Sequence, residues 1–94
     1  MTNLLISTSP RSTLITAPDA DTAAAIRSIL TGSCWEVHRD GIVDPLTLDV
    51  GIGVEAMEAG DRLIGAGYRF NWHPRQHPLN RRGAAWGIPV ESDA

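Results

Sequence analysis

Residues 34–72, CWEVHRDGIVDPLTLDVGIGVEAMEAGDRLIGAGYRFNW, carry the reading on which the fold turns. With Ser33 in front, residues 33–39 alternate. Trp35 and Val37 lie on one face and Cys34, Glu36 and His38 on the other, which is the period of a strand. Asp40-Gly41 is a turn signal, and Pro45 closes a connection of about five residues, an ordinary length for a hairpin. Residues 46–50 alternate again, placing Leu46, Leu48 and Val50 inward and Thr47 and Asp49 outward. Gly51 and Gly53 loosen the chain before a helix expected over about 54–65. Its buried face reads as Val54, Met57, Leu63 and Ile64, with Ala56 and Gly60 allowing close approach to a sheet. Glu58 and Arg62 stand four apart and suit an ion pair on the wet side. Gly65 and Gly67 end the helix, and residues 68–72 put Tyr68, Phe70 and Trp72 on one strand face.

Upstream, residues 3–8 (NLLIST) and 12–17 (STLITA) are rich in β-prone Leu, Ile and Thr. Ser9, Pro10 and Arg11 make a turn between them, since proline presets the turn dihedral. Pro18 ends the second strand. Asp19 or Asp21 then caps a helix by accepting from its free first-turn N–H groups. Thr22, Ala25, Ile26, Ile29 and Leu30 share one helical face, and Gly32 is placed to end the helix. Residues 12–72 thus run β-α-β-β-α-β. We expect an α+β single domain with the ferredoxin-like split βαβ order, an extra N-terminal strand and an irregular C-terminal arm. The boundary falls after residue 73. Residues 1–73 form the domain, and residues 74–94, rich in Pro, Gly and Arg and without periodicity, form the arm.

The chain has 94 residues, enough for one core. Its net charge of −3 gives the whole molecule no general attraction to nucleic acid or anionic membranes. A single cysteine excludes an internal disulfide. The first six residues, MTNLLI, are largely apolar but lack a basic region and are too short for a signal sequence. No stretch approaches the ~18 apolar residues of a membrane span. These features lead us to expect a cytoplasmic protein. All eight basic residues are arginines, which favour bidentate pairing with carboxylates and phosphates.

Four stretches contain chemistry-bearing residues. Cys34, Glu36 and His38 share a strand face that Asp49 could join, and thiol, imidazole and carboxylate are the groups that bind zinc or run thiolate chemistry. Side chains two apart on a strand diverge by ~7 Å, however, so a solvated face with an incidental cysteine is the plainer reading. Residues 51–56 (GIGVEA) match the dinucleotide pattern G-x-G-x-x-G/A. Glu55 stands where a phosphate would sit, Asn71 replaces the expected acid, and the chain is short, so a β-to-α turn is the plainer reading. Arg69, Arg75, Arg81 and Arg82 are interleaved with Trp72, His73, His77 and Trp86, a composition suited to single-stranded nucleic acid. Finally, Trp86, Ile88 and Val90 are costly to leave in water. They either fold back onto the domain or dock on another chain. His73 and His77 are four apart, but Pro74 and Pro78 rule out the helix that would make them a metal pair.

No catalytic residues, metal ligands or cofactor are expected. The function expected is a small non-enzymatic interaction module that binds another protein, or a second copy of itself, through its sheet and C-terminal arm. The residues assigned to that contact are Trp72, Arg75, Arg81, Arg82, Trp86 and Ile88. The alternative is nucleic-acid binding through the arginines of the arm. No membrane contact is expected.

Overall fold

A computed structural model of the chain describes residues 2–31, 42–81 and 83–91. It opens with the expected hairpin, β1 (Asn3–Thr8) and β2 (Thr13–Thr16), paired antiparallel with Thr8 opposite Thr13. The Ser9 hydroxyl lies 2.8 Å from that of Ser12 and accepts from the Ser12 N–H at 3.1 Å, which closes the turn locally. Helix α1 (Ala20–Leu30) follows, capped by Asp19, whose carboxylate accepts from the Thr22 N–H at 2.7 Å.

Strands β3 (Ile42–Asp44) and β4 (Thr47–Asp49) form a second hairpin. Its turn is Pro45-Leu46. Asp44 decides the position: its carboxylate accepts from the Leu46 N–H at 2.8 Å, and Pro45 sits where its fixed φ favours the turn. The expected strand over 33–39, the Asp40-Gly41 turn and the Gly32 helix stop lie outside the described residues.

Helix α2 (Val54–Gly65) leads into β5 (Arg69–Trp72). Its end is a Schellman motif. Gly67 takes φ 99°, its N–H donates to the Ile64 carbonyl, and the Tyr68 N–H reaches back to the Leu63 carbonyl at 3.0 Å.

The five strands form one sheet in the order β3-β4-β2-β1-β5. β1 pairs parallel with β5, and the other pairs are antiparallel. The pairings make β4 and β5 parallel, joined through α2, and make β2 and β3 parallel on either side of β4. With β1 set aside, the order β3-β4-β2-β5 is the ferredoxin-like plan. The extra N-terminal strand therefore lies inside the sheet, between β2 and β5. Its sequence suits that place, because a central strand tolerates apolar side chains on both faces.

Leu4 and Ile6 of β1, Ile15 of β2, Leu48 of β4 and Phe70 of β5 are fully buried on one sheet face. The pairs Leu4–Phe70, Ile6–Ile15 and Ile15–Leu48 set them side by side. Both long helices lie on this face and against each other. The face that α1 buries is Ala23, Ile26 and Leu30, while Ala25, expected inward, is exposed.

The difference is larger in α2. Its buried stripe is Ala56, Ala59, Gly60 and Leu63, and Ile64 is only half-buried. Val54 and Met57, expected inward, are 75% and 47% exposed. The small side chains bring the helix close to its neighbours. Into that space comes Ile88, whose side chain lies against the bare Cα of Gly60. The Glu58–Arg62 pair forms as expected, at 3.5 Å.

Beyond residue 73 the chain is irregular and lies folded back along the domain. It contains a 3-10 turn (Pro78–Asn80) and the single turn α3 (Gly83–Trp86). Ala85 and Ile88 belong to the same hydrophobic cluster as the sheet and helices. Val90 forms a parallel bridge with Phe70, and the Glu91 N–H donates to the Phe70 carbonyl at 2.8 Å. Ala85 and Trp86 take φ values of 56° and 59°. That left-handed conformation costs roughly 1–2 kcal/mol per residue. Burial of Ala85 and Ile88 offsets it. Among the described residues no helix is long and apolar enough to cross a membrane.

Candidate functional site

Strand alternation sends Leu5 and Ser7 of β1, Leu14 and Thr16 of β2, Thr47 and Asp49 of β4 and Asn71 of β5 to the sheet face opposite the helices. Leu5, Ser7, Leu14, Thr16 and Asn71 are all half-buried. Among the described residues no helix covers this face.

An open groove of about 350 Å3 crosses it, lined by Ser7, Leu14, Thr16, Asp44, Thr47, His73, Arg75 and Gln76. Three strands supply the floor. The Thr16 and Thr47 hydroxyls, 3.2 Å apart, pair across the β2–β4 register. The segment after β5 supplies one wall and Asp44 contributes to another.

That first wall is fastened to β1. The His73 N–H donates to the Ile6 carbonyl at 2.9 Å, and the Thr8 N–H donates to Gln76 Oε1 at 2.9 Å. Gln76 Nε2 donates to the Asn80 carbonyl at 2.8 Å, which leaves Gln76 a positioning role. The two His-Pro dipeptides build the same turn twice. In each, the imidazole Nδ1 accepts from the backbone N–H two residues on, at 3.1 Å, and the histidine carbonyl accepts from the N–H three residues on, at 2.9 Å. With Nδ1 accepting, His73 keeps Nε2–H as a donor.

The residues assigned to partner contact from the sequence are scattered. Trp72 is only 7% exposed and Ile88 4%, both part of the core. Trp86 packs half-buried against that core. The Arg81 guanidinium sits 4.8 Å from the centre of the Trp72 ring, a cation–π distance. Arg75 is exposed at the groove, and its guanidinium has no carboxylate partner among the described residues. Arg82 lies outside the described residues. Arg69 pairs with Glu91 at 3.3 Å. The described arginines do not form one patch with exposed aromatics, because the β5 aromatics point inward.

Cys34, Glu36 and His38 lie outside the described residues. Their proposed neighbour Asp49 accepts from the Gly51 N–H at 2.9 Å. Among the described residues, no three His, Cys, Asp or Glu side chains gather as a metal site would require. At the GIGVEA turn, the Glu55 carboxylate lies over Gly51, against the place a Cβ would occupy. Negative charge therefore stands where a dinucleotide phosphate would approach.

The sequence reading found Arg75 but missed Ser7, Thr16, Asp44, Thr47 and His73 as neighbours. Alternation in the first hairpin could have put Ser7, Leu14 and Thr16 on one face. Nothing local could have brought residues 73–76 over it. Comparison of the chain with protein-family models, curated proteins and solved structures finds no match.

Proposed function

We propose that this chain is a small, non-enzymatic cytoplasmic module that works by binding another protein, or a second copy of itself, through the helix-free face of its sheet. One observation carries the reading: Leu5 and Leu14 lie half-buried at the centre of a sheet face with no helix on it among the described residues. An uncovered sheet face with central apolar side chains is suited to sheet-on-sheet packing. Arg75 at its edge supplies a charged contact of the kind found at interface rims. Trp72 of β5 and Ile88 of the C-terminal segment are committed to the core on the other side of the sheet.

The nucleic-acid alternative draws on fewer groups than the composition suggested. Arg69 and Arg81 have partners within the chain, and among the described residues the face has no exposed aromatic for a base to stack on.

The test is capture of partners from nuclease-treated lysate, with light scattering of the purified protein, for the wild type and Leu14→Glu. The variant should keep its circular dichroism and melting behaviour and lose the partner or the dimer. An unchanged partner set with Leu14→Glu would refute the assignment of the surface. A wild-type protein that stays monomeric and captures nothing would refute the reading itself.

A further inference from the structure

We infer that the groove on the open sheet face is a binding site for a small metabolite carrying a carboxylate or phosphate at one end and a hydroxyl or ammonium donor at the other. This goes beyond the protein-binding reading: it concerns the same open face but rests on the polar groups that line the groove.

Three donors belong to one side of the groove. Among the described residues the Arg75 guanidinium has no carboxylate partner and the Ser7 hydroxyl makes no hydrogen bond. His73 adds Nε2–H because its Nδ1 is taken by the Arg75 N–H. His73 follows directly on the β5 pairing, and its N–H donates to the carbonyl of Ile6, next to Ser7. An arginine, an imidazole N–H and a hydroxyl suit an oxyanion, and the planar guanidinium suits its paired oxygens.

The wall that carries His73 and Arg75 is built rather than loose. Gln76 accepts from the β1 backbone and donates to Asn80, so the turn bearing His73 and Arg75 is tied down at both ends. The remaining lining residues explain the other half of the ligand. Asp44 has one carboxylate oxygen engaged by the Leu46 N–H and keeps acceptor capacity for a ligand donor. Between the ends, Leu14 gives a short apolar contact and the Thr16–Thr47 hydroxyl pair a polar one. The volume of about 350 Å3 lies in the range of small-molecule sites. A carboxylate in the same lining also disfavours a purely anionic ligand.

Amide NMR titration of the full chain tests this, with acetate, inorganic phosphate, butyrate and γ-aminobutyrate at chloride-matched ionic strength. Saturable shifts are expected at Ser7, Thr16, His73 and Arg75. Arg75→Met should weaken them about tenfold, the loss expected for one charge-assisted contact. Arg69→Met, whose arginine pairs with Glu91, should leave them unchanged. Whichever of acetate and phosphate binds tighter identifies the oxyanion. γ-Aminobutyrate should bind tighter than butyrate in the wild type and equally in Asp44→Asn. Shifts that follow ionic strength alone, or that survive Arg75→Met, overturn the site. Equal binding of butyrate and γ-aminobutyrate to the wild type overturns the role of Asp44. These outcomes are read on the free protein, so they are separable from failure of the partner reading.

Discussion

Replacing Gly60 with alanine sets helix propensity against a tertiary contact. In the interior of α2 the change should gain up to about 1 kcal/mol, since glycine is a poor helix former. The new methyl, however, would lie 2.5 Å from Ile88 Cγ1, 2.7 Å from Cδ1 and 3.4 Å from Cγ2. Because both branches of the isoleucine are engaged, rotating one terminal methyl does not relieve the clash, and the segment must lift. Ile88 is 4% exposed, and losing its burial costs about 1.5–3 kcal/mol. The Glu91–Phe70 backbone bond just beyond it adds about 1 kcal/mol if it breaks. Partial adjustment will recover some of this, so we expect a net destabilisation of about 1–2 kcal/mol. For a chain of this size that corresponds to a melting point lower by roughly 5 °C or more. The assay is urea denaturation followed by tryptophan fluorescence, with hydrogen exchange at the Glu91 amide as a local probe. Gly65→Ala, in the same helix with nothing within 4 Å of the added carbon, is the control and should be neutral or stabilising. In an Ile88→Ala background, Gly60→Ala should lose its penalty, which makes the coupling measurable as a double-mutant cycle. Gly60→Ala stabilising to the same extent in both backgrounds would refute the packing of the C-terminal segment described above.

Two further predictions follow from polar groups. The Asp19 carboxyl is held below its usual value of 3.8, first by the Thr22 backbone N–H and then by the Thr22 side chain. A depressed folded value means that its contribution is fully present above the unfolded value and is lost as pH falls through the folded one. Asp19→Asn, which preserves a capping acceptor, should therefore flatten the acid limb of stability against pH below 3.8, and an unchanged limb would count against the cap. The Thr13 hydroxyl is fully buried and finds no hydrogen-bond partner among the described residues, so Thr13→Val should be neutral or stabilise by about 1 kcal/mol in thermal denaturation. A loss beyond that of an ordinary core change would reveal a partner for the hydroxyl.

Several elements were legible in the sequence because each answers to short-range physics. The first hairpin, the cap at Asp19, the Glu58–Arg62 pair and the inward set Phe70 and Trp72 depend on residues within a few positions of one another. The buried face of α2 was not legible in this way. Val54 and Met57 offered one helical stripe, and Ala56, Ala59, Gly60 and Leu63 another. Hydrophobicity favoured the larger side chains, whereas packing selected the smaller ones.

The site residues divide along the same line. Arg75 stood out as a charge in a polar segment, while Ser7, Thr16, Thr47 and Asp44 are unremarkable in sequence and line one groove only when β1, β2, β3 and β4 align in register. Alternation, capping chemistry and turn residues by themselves determined that this chain makes strands and helices in the order of an α+β domain. The insertion of β1 between β2 and β5, the seating of Ile88 against Gly60 and the closure of residues 73–76 over the open face were decided by tertiary structure. The reason is that each joins residues far apart in the chain, and the shape and hydrogen-bonding capacity of the surface each one meets exist only once the rest of the sheet has formed.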